Sequence, residues 1–151
     1  MHRDIVYISD FFIDHLSGGA ELNDNELIKL LQEKNYKVEK NQSHLVGLEF
    51  LVDNKDCFFI ISNFCNLSSE NKIWISENCN YIIYEHDHKY LKTGNPADYK
   101  NYKVPQSAIR NFFFYKEAEA VVVQSTFHKS IVENNLTLKN IFNISGNLWS
   151  S

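Results

Sequence analysis

Tyr81-Ile82-Ile83-Tyr84-Glu85-His86-Asp87-His88 joins four large apolar residues to four ionisable ones without a break. A continuous apolar run of this length reads as a strand buried on both faces, and the abrupt polarity marks the point where it leaves the core. The same signature recurs on either side. Upstream lie Ile5-Val6-Tyr7-Ile8 and Cys57–Ile61, and downstream lie Ala120–Gln124 and Ile141–Ser145.

Between these runs the period becomes helical. From Ala20 to Asn35, Leu27, Leu30 and Leu31 fall on one side and Glu26, Lys29, Glu33 and Lys34 on the other. Further helices are predicted over Ser43–Val52, Ser68–Asn78 with Ser68 or Ser69 as cap, Ser107–Ala118 and Thr126–Asn134. Tyr36–Lys40 is polar enough to be an edge strand. Strict alternation of about six strands and five helices predicts one α/β domain, a Rossmann-like parallel sheet with helices on both faces. Lys89–Pro105, long, tyrosine-rich and holding Pro96, Pro105 and Gly94, breaks the rhythm and reads as a functional loop.

The 151 residues suit one domain with a core of its own. A net charge of −4 and no Lys/Arg cluster argue against a nucleic-acid partner. Phe112-Phe113-Phe114 and Cys57-Phe58-Phe59 read as core or interface. Cys57, Cys65 and Cys79 are odd in number and lack C-x-x-C spacing, so neither a disulfide framework nor a zinc ribbon is expected. The start at Met1-His2-Arg3 has no signal-peptide pattern, and no run is apolar enough to span a bilayer, which sets a cytoplasmic expectation.

In an open parallel sheet, ligands bind beyond the carboxyl ends of the strands. Three such junctions stand out. At Leu16-Ser17-Gly18-Gly19-Ala20-Glu21, two glycines open a helix whose N-terminal N–H groups could face an anion, although glycine also serves any sharp turn. No G-x-G-x-x-G or Walker A pattern accompanies it, which argues against NAD binding and classical ATPase activity.

At Glu85-His86-Asp87-His88, continued strand geometry would send His86 and His88 to one side and Glu85 and Asp87 to the other. A general base, an orienting donor and a solvated polar loop are all compatible with that cluster. Two histidines at i, i+2 supply half of a zinc site, so no metal is expected. At Gln124-Ser125-Thr126, capping alone explains the serine or threonine, while Ser125 also stands where a substrate would pass.

Ser17-Gly18-Gly19-Ala20-Glu21 after the first strand, Tyr81–Asp87, and Ala120–Phe127 together resemble the N-terminal domain of "group 1" retaining glycosyltransferases of the GT-B fold. The resemblance lies in the order of short motifs along nearly the whole chain. It implies an acceptor-side domain over 1–151, acting on a nucleotide-sugar donor and an unknown acceptor, with no cofactor. Gly18 and Gly19 would meet the donor diphosphate, His86 with Asp87 would form the catalytic pair, and Glu85, His88 and Ser125 would contact substrate. That family's C-terminal donor-binding domain and its E-x7-E motif have no room here. Glu77 and Glu85 match the spacing only while flanking a strand of the wrong domain. Sugar transfer is therefore expected to need a second domain, in cis or in trans. The alternative expectation is a non-catalytic binding or oligomerisation module, such as a homodimer, and a weaker third is a metal-dependent hydrolase on His86, Asp87 and His88.

Overall fold

The computed structural model describes residues 4–15, 18–86 and 88–144. Six strands form one all-parallel sheet: β1 (Asp4–Ser9), β2 (Lys37–Gln42), β3 (Phe58–Ile61), β4 (Asn80–Tyr84), β5 (Ala120–Val123) and β6 (Ile141–Asn143), in the order β2-β1-β3-β4-β5-β6. The helices between them are α1 (Gly19–Glu33), α2 (Leu48–Asp53), α3 (Ser69–Asn78), α4 (Phe112–Glu117) and α5 (Thr126–Leu136). The expected Rossmann-like architecture is the one observed, and β2 is the polar edge strand.

Strand alternation divides the core in two. Val6, Ile8, Phe59, Ile61, Tyr81, Ile83, Val121 and Val123 face Leu51, Ile75, Phe114, Tyr115 and Val132, which come from α2 to α5. The opposite face carries Ile5, Tyr7, Ile60 and Tyr84 against Ile28 of α1. One helix cannot cover six strands. Exposure on that face therefore rises toward the far edge, from Ile60 at 3% to Phe142 at 55%.

Chain reversals follow local chemistry. α1 ends where Asn35 adopts φ +69°, while the Tyr36 N–H donates to the Leu31 carbonyl and both side chains pack on the α1-side core. Within α1, Ile28 rather than Leu30 is buried, and Leu30 is 42% exposed.

Two predicted helices are shorter than their patterns suggest. Over Ser43–Val52 a 3₁₀ turn at Ser43–Leu45 gives way to extended Val46 and Gly47 before α2 begins. The Val46 carbonyl accepts from the Asn71 side chain, and Ser43 Oγ donates to the Asn63 carbonyl, so tertiary partners hold this segment out of a helix. Over Ser107–Ala118, Ile109 forms an antiparallel bridge with Leu91, and Asn111 is left-handed at φ 59°, so α4 starts at Phe112. Phe114 is buried, whereas Phe112 and Phe113 remain partly exposed, which splits the aromatic run. The Lys89–Pro105 loop is built from short 3₁₀ turns. The predicted end of the last strand at Ser145 lies outside the described residues. Among the described residues no helix is long and apolar enough to cross a membrane.

Tyr7, Tyr81, Tyr84, Tyr90 and Tyr115 are all essentially buried. Burial raises each phenol, to about 12 for Tyr84. A folded pKa above the unfolded one near 10 contributes stability that is complete below pH 10 and is lost as pH rises through the folded value. Thermal unfolding should thus be insensitive to these phenols up to about pH 9 and lose midpoint steeply above about pH 10. Most of the phenolate absorbance at 295 nm, the share of the five buried phenols among the eight tyrosines, should appear together with loss of far-UV circular dichroism. Separate transitions, with buried phenols ionising in the folded protein, would contradict this.

Candidate functional site

The sheet order reverses between β1 and β3, since the connection leaving β1 runs to one edge and that leaving β3 to the other. This opens a crevice at the carboxyl ends of the two strands. Asp10, just past β1, spans it: its two carboxylate oxygens accept from the Cys65 and Asn66 backbone N–H groups at 3.0 Å each.

Asp24 of α1 lies deeper and is wholly buried. Its Oδ1 accepts from the Tyr7 hydroxyl at 2.5 Å and from His86 Nε2 at 3.0 Å, and its Oδ2 accepts from Ser62 Oγ at 2.8 Å. One carboxylate thereby ties α1 to β1, to the residue after β3 and to the second residue after β4. Burying a carboxylate is costly unless such donors replace water, and here three do. Tyr7 remains a donor because burial first, and the Asp24 charge second, push its phenol well above the ordinary range.

Asp24 accepts only, so His86 carries its proton on Nε2, and Nδ1 faces the Gln124 side-chain amide at 2.6 Å. The His86 ring leans on Tyr84 at a 4.5 Å centroid distance, and its side chain is 5% exposed. An imidazole held at both nitrogens is fixed in orientation. To receive a proton at Nδ1 it needs only Gln124 to turn its amide and present oxygen instead of nitrogen. With its one N–H given to Asp24, His86 offers a ligand only Nδ1, as a shielded proton acceptor reached once the Gln124 amide gives way.

Glu85 points the other way. It is fully buried among the α4-side residues, where it pairs with Lys89 at 2.5 Å and accepts from the Tyr115 hydroxyl. β4 ends at Tyr84, and His88 does not join His86: its Nδ1 meets the Tyr90 hydroxyl at 2.8 Å and its ring lies 4.5 Å from that of His128. Ser125 caps α5, its Oγ accepting from the His128 N–H. Asp87 lies outside the described residues, as do Leu16 and Ser17. Among the described residues, no three His, Cys, Asp or Glu side chains are grouped to hold a metal.

Gly18 and Gly19 stand at the start of α1, with Gly18 at φ −90° as the N-cap. Glycine is not required there by backbone conformation. A Cβ on Gly18 would lie 2.5 Å from Glu21 Oε2, whereas one on Gly19 would meet nothing within 4 Å. The Gly19 side of the helix start is therefore open, while the Glu21 carboxylate occupies the space beside Gly18.

Asp24, Tyr7, Ser62 and Gln124 escaped the sequence reading. The available signal was Asp24 itself, an acidic residue at i−3 and i−4 from Leu27 and Ile28 on the apolar side of α1. No protein-family model matches the chain, and no curated protein matches it. What the fold itself shows is a Rossmann-like parallel six-stranded sheet.

Asp24→Ala orphans three buried donors and should cost at least about 3 kcal/mol in urea unfolding. A double-mutant cycle with His86→Ala should give a coupling of about 1.5–3 kcal/mol, as for hydrogen bonds to charged groups. Strict additivity would mean that the two side chains do not sense each other.

Proposed function

We propose that this domain is the acceptor-side half of a glycosyltransferase that moves a sugar from a nucleotide-sugar donor to an acceptor, with a second, donor-binding domain completing the site in cis or in trans. The observation that carries the reading is the placement of His86. It stands at the carboxyl end of β4, held by a buried carboxylate from the very helix whose N-terminus bears Gly18 and Gly19. The motif order of the sequence and the β2-β1-β3-β4-β5-β6 sheet agree with that reading.

In this reading the open side of Gly19 lets a diphosphate approach the first-turn N–H groups and the positive end of the α1 dipole. Glu21, beside Gly18, competes with that anion and must swing aside or be balanced by donor contacts from the second domain. His86 accepts from a sugar or acceptor hydroxyl at Nδ1 once the Gln124 amide gives way, and Asp24 fixes its tautomer. Asp87, next in sequence, is the second member of the pair that the resemblance implies, and His88 and Ser125 would contact substrate beyond β4 and β5. Glu85 supports the floor through Lys89 and Tyr115 rather than by touching substrate.

The test starts with the reading frame beyond codon 151 and proceeds to the complete gene product. Sugar transfer from a nucleotide-sugar should be measurable and should fall by about 10²-fold or more in His86→Ala, the loss expected when a positioned proton acceptor is removed. Gly19→Ala supplies a second arm. It should leave stability unchanged or raise it by at most about 1 kcal/mol, since alanine is the better helix former, while weakening donor binding. A stop codon with no complementary domain encoded nearby, or a complete protein without transfer, would leave the non-catalytic module as the better account.

A further inference from the structure

We propose that the cleft between the residue stretches following β3 and β4 and the turn before α4 is an oxyanion site that takes the phosphate group of a small phosphorylated molecule. The cleft encloses about 430 Å³, within the range of small-ligand sites, and its walls include Lys72, Lys89, Lys92 and Arg110. No Asp or Glu lines it among the described residues. Four of the 15 lysines and arginines of a chain with net charge −4 thus converge on one concavity.

Among the described residues, two acids beside these lysines are already engaged. Glu85 pairs with Lys89 and accepts from Tyr115, and Asp10 accepts from the Cys65 and Asn66 backbone. Lys72 is 8% exposed, and its ammonium, which has three donors, makes one hydrogen bond, to Asn111 Oδ1 at 3.0 Å, and sits 5.7 Å over the Phe64 ring. Burial, and then repulsion from Arg110, lower its pKa. Lys72, Lys92 and Arg110 form no ion pair among the described residues.

Positive charges brought together in a partly dry cleft repel one another, and a bound anion offsets that repulsion. A phosphate brings two charges and three oxygens, enough to accept from Lys72, Lys92 and Arg110 at once, and arginine matches it bidentately. The placement is also held. The Arg110 N–H donates to the Tyr90 carbonyl, and Asn111, next to it, takes the left-handed conformation while accepting from Lys72. The site does not depend on sugar transfer, since it is separate from the α1 start and from the partners of His86.

The test is calorimetry and ¹H–¹⁵N NMR titration of the full chain with inorganic phosphate and with glycerol 3-phosphate, at ionic strength held constant with sodium chloride. Saturable binding is expected, with amide shifts centred on Lys72, Lys92–Gly94 and Arg110. Lys92→Gln/Arg110→Gln, a change of two exposed residues, should weaken binding about tenfold or more. Lys72→Met should abolish the rise in unfolding temperature that phosphate gives the wild type. Tighter binding of glycerol 3-phosphate would identify an ester as the natural class, and preference for inorganic phosphate would identify the free ion. No saturable binding of either anion, equal stabilisation by sodium chloride, or unchanged binding in the double variant would overturn the assignment.

Discussion

The Asp24 carboxylate sits where α1 crosses the sheet, wholly buried, and accepts from Tyr7 in β1, Ser62 after β3 and His86 after β4. A carboxylate removed from water must be given donors by the protein, and the three it finds come from neighbouring strands. Their registration therefore depends on it. The same bonds fix the angle of α1, and with it the direction in which the Gly18–Gly19 helix start faces the crevice. The structure of the site and the packing of the α1 face are one arrangement.

Adjacent residues on the stretch leaving β4 serve opposite faces. His86 turns to α1 and Asp24, and Glu85 turns to α4, where Lys89 and Tyr115 complete a second buried polar group. Both carboxylates have a buried tyrosine donor whose phenol is raised by burial and by the neighbouring negative charge, so neither loses its partner to ionisation at neutral pH. Each face of the sheet thus carries one satisfied carboxylate beneath the strand ends. Partly satisfied networks would be worse than an apolar core, whereas these specify one register.

The charge distribution is uneven in a way that net charge conceals. An acidic chain gathers Lys72, Lys89, Lys92 and Arg110 around one cleft, and only Lys89 is matched by a carboxylate among the described residues. These four positions are spread over 38 residues of sequence separation, from α3 to the turn before α4, so no linear cluster announces them. The fold brings them together because the Leu91–Ile109 bridge draws the long loop back against the chain after β4.

Periodicity alone determined the α/β class and the polar edge strand around Tyr36–Lys40, because apolar runs and helical stripes are local properties of the chain. His86 and the Gly18–Gly19 pair came instead from residue type at the strand ends and from the motif resemblance. Tertiary structure decided what those residues touch. Asp24 reads in sequence as one more polar helix residue, and only packing makes it the anchor of His86. Ser107–Ile109 has a helical pattern, yet an antiparallel bridge and the left-handed Asn111 override it, since contacts with Leu91 and Tyr90 outweigh a weak local propensity. Ser125 needed no ligand to explain it, for a cap satisfies it locally. Strand and helix identity were legible because they depend on near neighbours in sequence. The partners of Asp24 were not, because they are set by residues brought together from 17 to 62 positions apart.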